Sequence, residues 1–150
     1  MKGERMGTVL SEKFVRRSII LWLRRKGWGR NLEEKPEGEH GPDIRVRHNR
    51  YSRYYIVETK GDPDPRKVKH LHSRREVSFI YAIGQIITRI SPKAFYWYAI
   101  GLPSSYKLLV FRRFPWGVSK KLRLNFLFVD KEGKVEFVNW KKIKDAKLTG

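Results

Sequence analysis

The segment "DIRVRHNRYSRYYIVETKGD", Asp43 to Asp62, restricts the fold more than any other part of the chain. "DIRVR" and "RYYIVETK" are short and rich in β-branched and aromatic residues, so both read as strands, with the polar "HNRYS" as the turn between them. Side chains alternate along a strand. Ile56, Glu58 and Lys60 therefore share one face, and Val57 and Thr59 the other. Antiparallel pairing through the turn sets Asp43, at the start of the first strand, beside the end of the second. Two carboxylates and an ammonium converge there. Charge at the end of an apolar strand is costly unless it is paired or bound.

The rest of the chain alternates helical and strand patterns. "TVLSEKFVRRSIILWLRRKG" carries Leu10, Phe14, Val15, Ile19, Trp22 and Leu23 near a 3.6-residue period. That spacing predicts a first helix, capped by Thr8 and closed by a basic turn and Gly27. "WGRNLEE" reads as a short strand, and "KPEGEHGP" as a polar loop. After the loop "GDPDPRK" a second helix is expected over about 74–90, with Ile80, Ile83, Ile87 and Ile90 as its stripe. "AFYWYAIGLP" predicts a buried strand, and "SSYKLLVFRRF" a short helix capped by Ser104 or Ser105. "LRLNFLFVD", "KEG" and "KVEFVNW" read as strand, turn and strand. The tail "KKIKDAKLTG" is either a frayed helix or a loose basic arm. This order predicts an α/β fold, a central mixed sheet flanked by helices.

Length and the absence of repeats or linkers predict one domain over residues 1–150. Its core is expected over about 8–103, with C-terminal strands and a basic tail over 104–150. No apolar run is long enough for a transmembrane helix, and no signal-peptide pattern opens the chain, so the expected location is cytoplasmic. The chain has no cysteine, which excludes disulfides and thiolate metal sites.

Charge narrows the function. There are 34 Lys and Arg against 15 Asp and Glu, a formal net charge of +19. Residues 31–64 run against this trend, with eight acids and six basic residues. A basic body around one acid-rich segment suits a protein that grips phosphates and also needs a cation. A charge-rich thermophile surface fits the single glutamine and the missing cysteine, but such surfaces usually balance Lys with Glu. The expected partner is nucleic acid, DNA before RNA.

Asp43 and Glu58 side by side repel each other unless one is protonated or a cation lies between them. Mg²⁺ or Mn²⁺ resolves the conflict, since Mg²⁺ takes one or two carboxylates together with waters and phosphate oxygens. Lys60 is placed to orient or deprotonate a water, or to neutralise charge building on phosphate. The Thr59 carbonyl is a candidate further ligand. "GPD" followed after fourteen residues by "ETK" resembles the PD-(D/E)XK nuclease superfamily, whose fold is restriction-endonuclease-like. The arrangement is nearest to archaeal Holliday-junction-resolvase-like and Mrr-type members. The resemblance covers about the first two-thirds of the chain. It implies metal binding by Asp43 and Glu58 and assistance to the attacking water by Lys60. It also implies a site role for a glutamate on the first helix and a glutamine on the helix after the catalytic strand, positions filled by Glu12 and Gln85. Glu12 has a second explanation, because the helix macrodipole favours an acid in the first turn.

For nucleic-acid contacts, Arg66, Lys67, Lys69, Arg74 and Arg75 flank the candidate site in sequence, and Arg50 and Arg53 lie in the turn before "YYIVETK". Tyr54 and Tyr55 read as core. His70 and His72 sit in a basic run that suits phosphate contact or solvation, and His40 adjoins Gly41 and Pro42. Asp62 and Asp64 read as turn residues. A homodimer is compatible with the chain, with the aromatic strand 94–102 as its interface. The expected function is a Mg²⁺-dependent nuclease. The alternatives are a non-catalytic nucleic-acid-binding module on the same fold and a basic protein that docks on acidic partners.

Overall fold

The computed structural model describes residues 9–29 and 41–149. Five strands form one sheet in chain order: β1 (Ile44–Arg47), β2 (Tyr54–Thr59), β3 (Tyr96–Pro103), β4 (Leu124–Val129) and β5 (Val135–Val138). The outer pairs β1–β2 and β4–β5 are antiparallel, and the inner pairs β2–β3 and β3–β4 are parallel. Parallel neighbours need a crossover, and helices supply both. α2 (Leu71–Ile87) leads from β2 to β3, while α3 (Lys107–Arg113) and α4 (Trp116–Leu122) lead from β3 to β4. α1 (Glu12–Arg25) precedes the sheet and α5 (Trp140–Thr149) follows it. This is the expected α/β fold, consistent with a restriction-endonuclease-like arrangement.

Alternation along the strands divides the core in two. Val15, Ile19 and Leu23 of α1 pack on the face that carries Tyr55, Val57, Ala99 and Leu127. Phe79, Ala82 and Ile86 of α2 pack on the other, with Ile56, Ile100 and Phe126. Strands covered on both faces read as continuous apolar runs, as "YAIGLP" does.

The seating of α1 depends on two glycines. A Cβ on Gly101 would lie 2.2 Å from Ile19 Cδ1, and one on Gly61 would lie 2.4 Å from the Glu12 backbone nitrogen. Close approach at both ends of this contact fixes the start of α1 against the carboxyl end of β2. Leu10 N donates to Asp62 Oδ2 at 2.9 Å, and Asp62 N donates back to Leu10 O at 2.8 Å.

Several expectations are corrected. α1 is capped by Ser11, whose Oγ accepts from Phe14 N at 3.1 Å, and Thr8 lies outside the described residues. Gly27 does end the helix, at φ +90°. Of "WGRNLEE", Trp28 makes a single bridge to His48, and residues 30–34 lie outside the described residues. α2 starts at Leu71 and is rotated from the isoleucine stripe, leaving Ile80 54% and Ile87 50% exposed. The cause is Phe79, whose ring packs against Phe114 and Phe126, each at 6.2 Å between centroids. "SSY" forms a 3₁₀ turn before α3, and neither Ser104 nor Ser105 caps the helix.

The C-terminal part is not an appendage. Phe126, Phe128, Val138 and Ile143 belong to the core, so the core extends well past residue 103. The tail is a regular helix, with Asn139 Oδ1 accepting from Lys141 N and Lys142 N. β3 lies in the middle of the sheet with both edges paired, so strand 94–102 offers no edge to a partner chain.

Candidate active site at the carboxyl end of the second strand

Pairing of Ile44 with Val57 brings Asp43, one residue before β1, to the carboxyl end of β2. Its Oδ2 accepts from Thr59 N at 2.8 Å and from Thr59 Oγ1 at 3.2 Å. The carboxylate thus takes up a backbone donor just past the end of the β1–β2 ladder, where Thr59 is buried.

Glu58 faces the α2 side, as Ile56 does, and is only 2% exposed. Burial pushes its carboxyl up from 4.5 to about 7, and the Asp43 carboxylate beside it, by charge and by hydrogen bonding, pushes the same way. Arg89, just after α2, opposes the shift, with its Nε 3.3 Å from Glu58 Oε1. Lys60 is half-buried on the same side, its Nζ 5.0 Å from the centre of the Tyr81 ring. Its backbone nitrogen donates to Gly101 O at 3.0 Å, which anchors the residue beyond the end of β2.

Of the residues expected at the site, Asp43, Glu58 and Thr59 come together, and Lys60 joins them from the end of the strand. Glu12 stands exposed at the start of α1, near Gly61. Among the described residues no three of His, Cys, Asp and Glu gather as a metal-binding group. The place of Glu12 in the first turn is also one that the helix macrodipole favours. Gln85 lines an open cleft of about 600 Å³ along α2 with Val77, Ile80, Tyr81, Gly84 and Thr88, and its Oε1 is buried without a hydrogen-bond partner.

The expected nucleic-acid contacts divide. Lys67, Lys69, Arg74, Arg50 and Arg53 are exposed, and Arg53 lies 5.3 Å over the Tyr51 ring. Arg66 is exposed, but its charge is tied to Asp64 by contacts of 3.2 Å to both carboxylate oxygens. Arg75 is partly buried, its Nε 3.8 Å from Asp62 Oδ1, so its charge is shared with that acid. Asp62 is more than a turn residue: it holds Leu10 N, Ser105 Oγ and Arg75 together. His72 pairs with Glu76 at 3.2 Å, and His40 lies outside the described residues.

Arg89 was not singled out in the sequence. It sits thirty-one positions from Glu58, in "TRISP", and no local pattern separates it from the other helix-terminal arginines.

A hard divalent cation fits the donor set. Asp43 and Glu58 are adjacent oxygen donors, and burial first, with the Asp43 carboxylate second, raises the Glu58 carboxyl to about 7 against the opposing pull of Arg89. Among the described residues no helix is long and apolar enough to cross a membrane.

No family model and no curated protein sequence matches the chain. Two solved structures share its fold. An XisH family protein from Nostoc punctiforme PCC 73102 aligns with TM-score 0.50 and 19% identity, over 84% of this chain and 99% of that one. An fdxN element excision controlling factor protein from Anabaena variabilis aligns with TM-score 0.50 and 19% identity, over 85% of this chain and 99% of that one.

The raised Glu58 carboxyl makes a stability prediction. The folded protein holds this proton more tightly than the unfolded chain, so stability is greatest below pH 4.5 from this group and falls as pH rises to about 7. Urea denaturation is expected to show a loss of about 2 kcal/mol across that window, after a discount for solvent screening. Glu58→Gln is expected to abolish most of that slope. An unchanged slope in the variant would mean that Glu58 is not the buried acid.

Proposed function

We propose that the protein is a metal-dependent nuclease that hydrolyses phosphodiester bonds in DNA. The observation that carries this reading is Glu58, a buried carboxyl set beside Asp43 with Lys60 on the same face, in a chain of net charge +19. A protein that only holds a polyanion gains nothing from burying acids together at its surface end. The α/β fold is compatible, and the name of the Anabaena neighbour, an element excision controlling factor, points toward DNA.

Asp43 and Glu58 would hold Mg²⁺ or Mn²⁺, with the Thr59 carbonyl as a candidate third oxygen. When bound, the ion acidifies a water and polarises the phosphate. The chain's own residues account for the rest. Thr59 fixes the orientation of Asp43 through two donors. Arg89 holds Glu58 in place and supplies positive charge at its rim. Lys60 reaches the same side from a fixed backbone position and is the residue to orient the attacking water or to take its proton. Exposed Lys67, Lys69 and Arg74 lead from the end of β2 into α2, where they meet phosphates on either side of the cut.

Purified protein with Mg²⁺ or Mn²⁺ is expected to cleave some member of a panel of single-stranded, nicked, branched and duplex DNA. Glu58→Ala and Lys60→Ala should each reduce the rate at least a hundredfold. No cleavage, or cleavage that survives Glu58→Ala, contradicts the reading.

A homodimer is proposed on a different surface from strand 94–102. Val77, Ile80, Tyr81 and Ile87 are exposed along α2, and a contiguous apolar patch of this kind marks an interaction site. Gly84 lies within the stripe, and a Cβ placed on it would meet nothing within 4 Å, so the surface there is open to a second helix. Light scattering of the wild type should give a dimer and Ile80→Asp a folded monomer. A monomeric wild type contradicts the assignment.

A further inference from the structure

The same face of the sheet that carries Glu58 bears a second feature at the opposite end of its strands. The register sets Arg47 beside Tyr54, and Tyr54 beside Tyr96. Tyr54 lies on the Glu58 face, since the two are four positions apart on the strand. The Tyr54 and Tyr96 rings stack at 5.3 Å between centroids with 25° between planes. Phe95, 39% exposed, leans on Tyr96 at 5.1 Å and 31°. Tyr54 and Tyr96 are themselves half-buried, unlike Tyr98 two positions further along, which is buried and accepts from Ser91 N through its hydroxyl.

Cations border this ledge on both sides. The Arg45 guanidinium lies 5.3 Å from the Tyr54 ring centre and donates to the Tyr96 hydroxyl at 3.2 Å. Arg47 is exposed, and Lys93 Nζ sits 5.8 Å from the Phe95 ring centre. Among the described residues none of these three cations is in a salt bridge with an acid. The ledge therefore combines partly exposed aromatic rings with positive charge that has no acidic salt-bridge partner among the described residues. A core role explains Tyr98 but not rings left open under guanidinium groups. Unpaired bases offer π faces to such rings and phosphates to such cations, whereas a duplex hides its π faces.

We propose that the ledge binds an unpaired strand of DNA, with bases stacked on Phe95 and the Tyr54–Tyr96 pair and phosphates held by Arg45, Arg47 and Lys93. Tyr54 and Glu58 are four positions apart, about 13 Å along the strand. That distance is within reach of a few nucleotides, and because Ile56 between the two positions is buried under α2, a bound strand passes beside this part of β2 and not over it. This inference rests on the nuclease reading for its ligand. It narrows the substrate to DNA with a single-stranded stretch beside the scissile bond, such as a flap, a fork or an open end.

The test is fluorescence anisotropy with the full chain in EDTA, so that binding is read without cleavage. The probes are labelled oligo-dT, oligo-U and a duplex of equal length. Oligo-dT should bind more tightly than either of the others. Phe95→Ala should weaken oligo-dT binding about tenfold and leave duplex binding nearly unchanged, while Phe95→Trp retains the affinity. Arg45→Gln should also weaken oligo-dT binding, with thermal melts verifying that each variant is folded. Equal losses on oligo-dT and duplex, no loss on either, or tighter binding of oligo-U would each overturn the inference. Cleavage that persists while the ledge variants bind normally removes this inference alone. Ledge-dependent binding without cleavage of any substrate removes the nuclease reading alone.

Discussion

The buried Glu58 carboxyl beside Asp43 is the constraint around which the rest of the molecule is arranged. Two acids at one strand end are unfavourable, and the fold keeps them there by several independent contacts. Thr59 gives Asp43 two hydrogen bonds, Arg89 gives Glu58 a cation, and β3 lies against β2 so that Lys60 N finds Gly101 O. Burial, with the Asp43 carboxylate adding to it, leaves the Glu58 carboxyl raised to about 7. Under the proposed function, a divalent cation between the two carboxylates would stabilise the charged form of Glu58 that burial disfavours.

The sheet topology explains why the acids meet at this point. Parallel pairing in the centre directs the ends of β2, β3 and β4 to one edge of the molecule, where loops and the start of α1 gather. α1 is held there by a reciprocal pair of hydrogen bonds between Leu10 and Asp62, and by a contact with Gly61 too close for any side chain. Asp62, Arg75 and Ser105 stiffen the same region from the α2 and β3 sides. The site is therefore built on rigid elements, and the aromatic ledge at the other end of β2 shares that rigidity.

Much of this was legible in the sequence because strand alternation and turn spacing are local. The Asp43–Glu58 neighbourhood followed from a hairpin of fixed length, and the orientation of Glu58 and Lys60 from their even spacing. The errors arose where tertiary packing overrode local pattern. Ile80 and Ile87 looked like core by period, but Phe79 is larger and turned α2 so that it fills the space beside Phe114 and Phe126. Arg75 looked like one more surface cation, yet Asp62 draws it inward. Strand 94–102 looked available for pairing, but the C-terminal strands, unassigned to the core by their sequence, take its free edge. Arg89 and the Tyr54–Tyr96 stack join residues far apart in the chain, which no window of local sequence reveals.

The central claim, that Asp43 and Glu58 form a cation site, is tested most directly by calorimetric titration of Mn²⁺ into wild type and Asp43→Asn near neutral pH, in two buffers of different ionisation enthalpy. The account predicts saturable one-site binding to the wild type and release of a proton by Glu58, seen as a buffer-dependent heat, with both lost in the variant. Binding of equal affinity in Asp43→Asn, or heats that do not depend on the buffer, would contradict it.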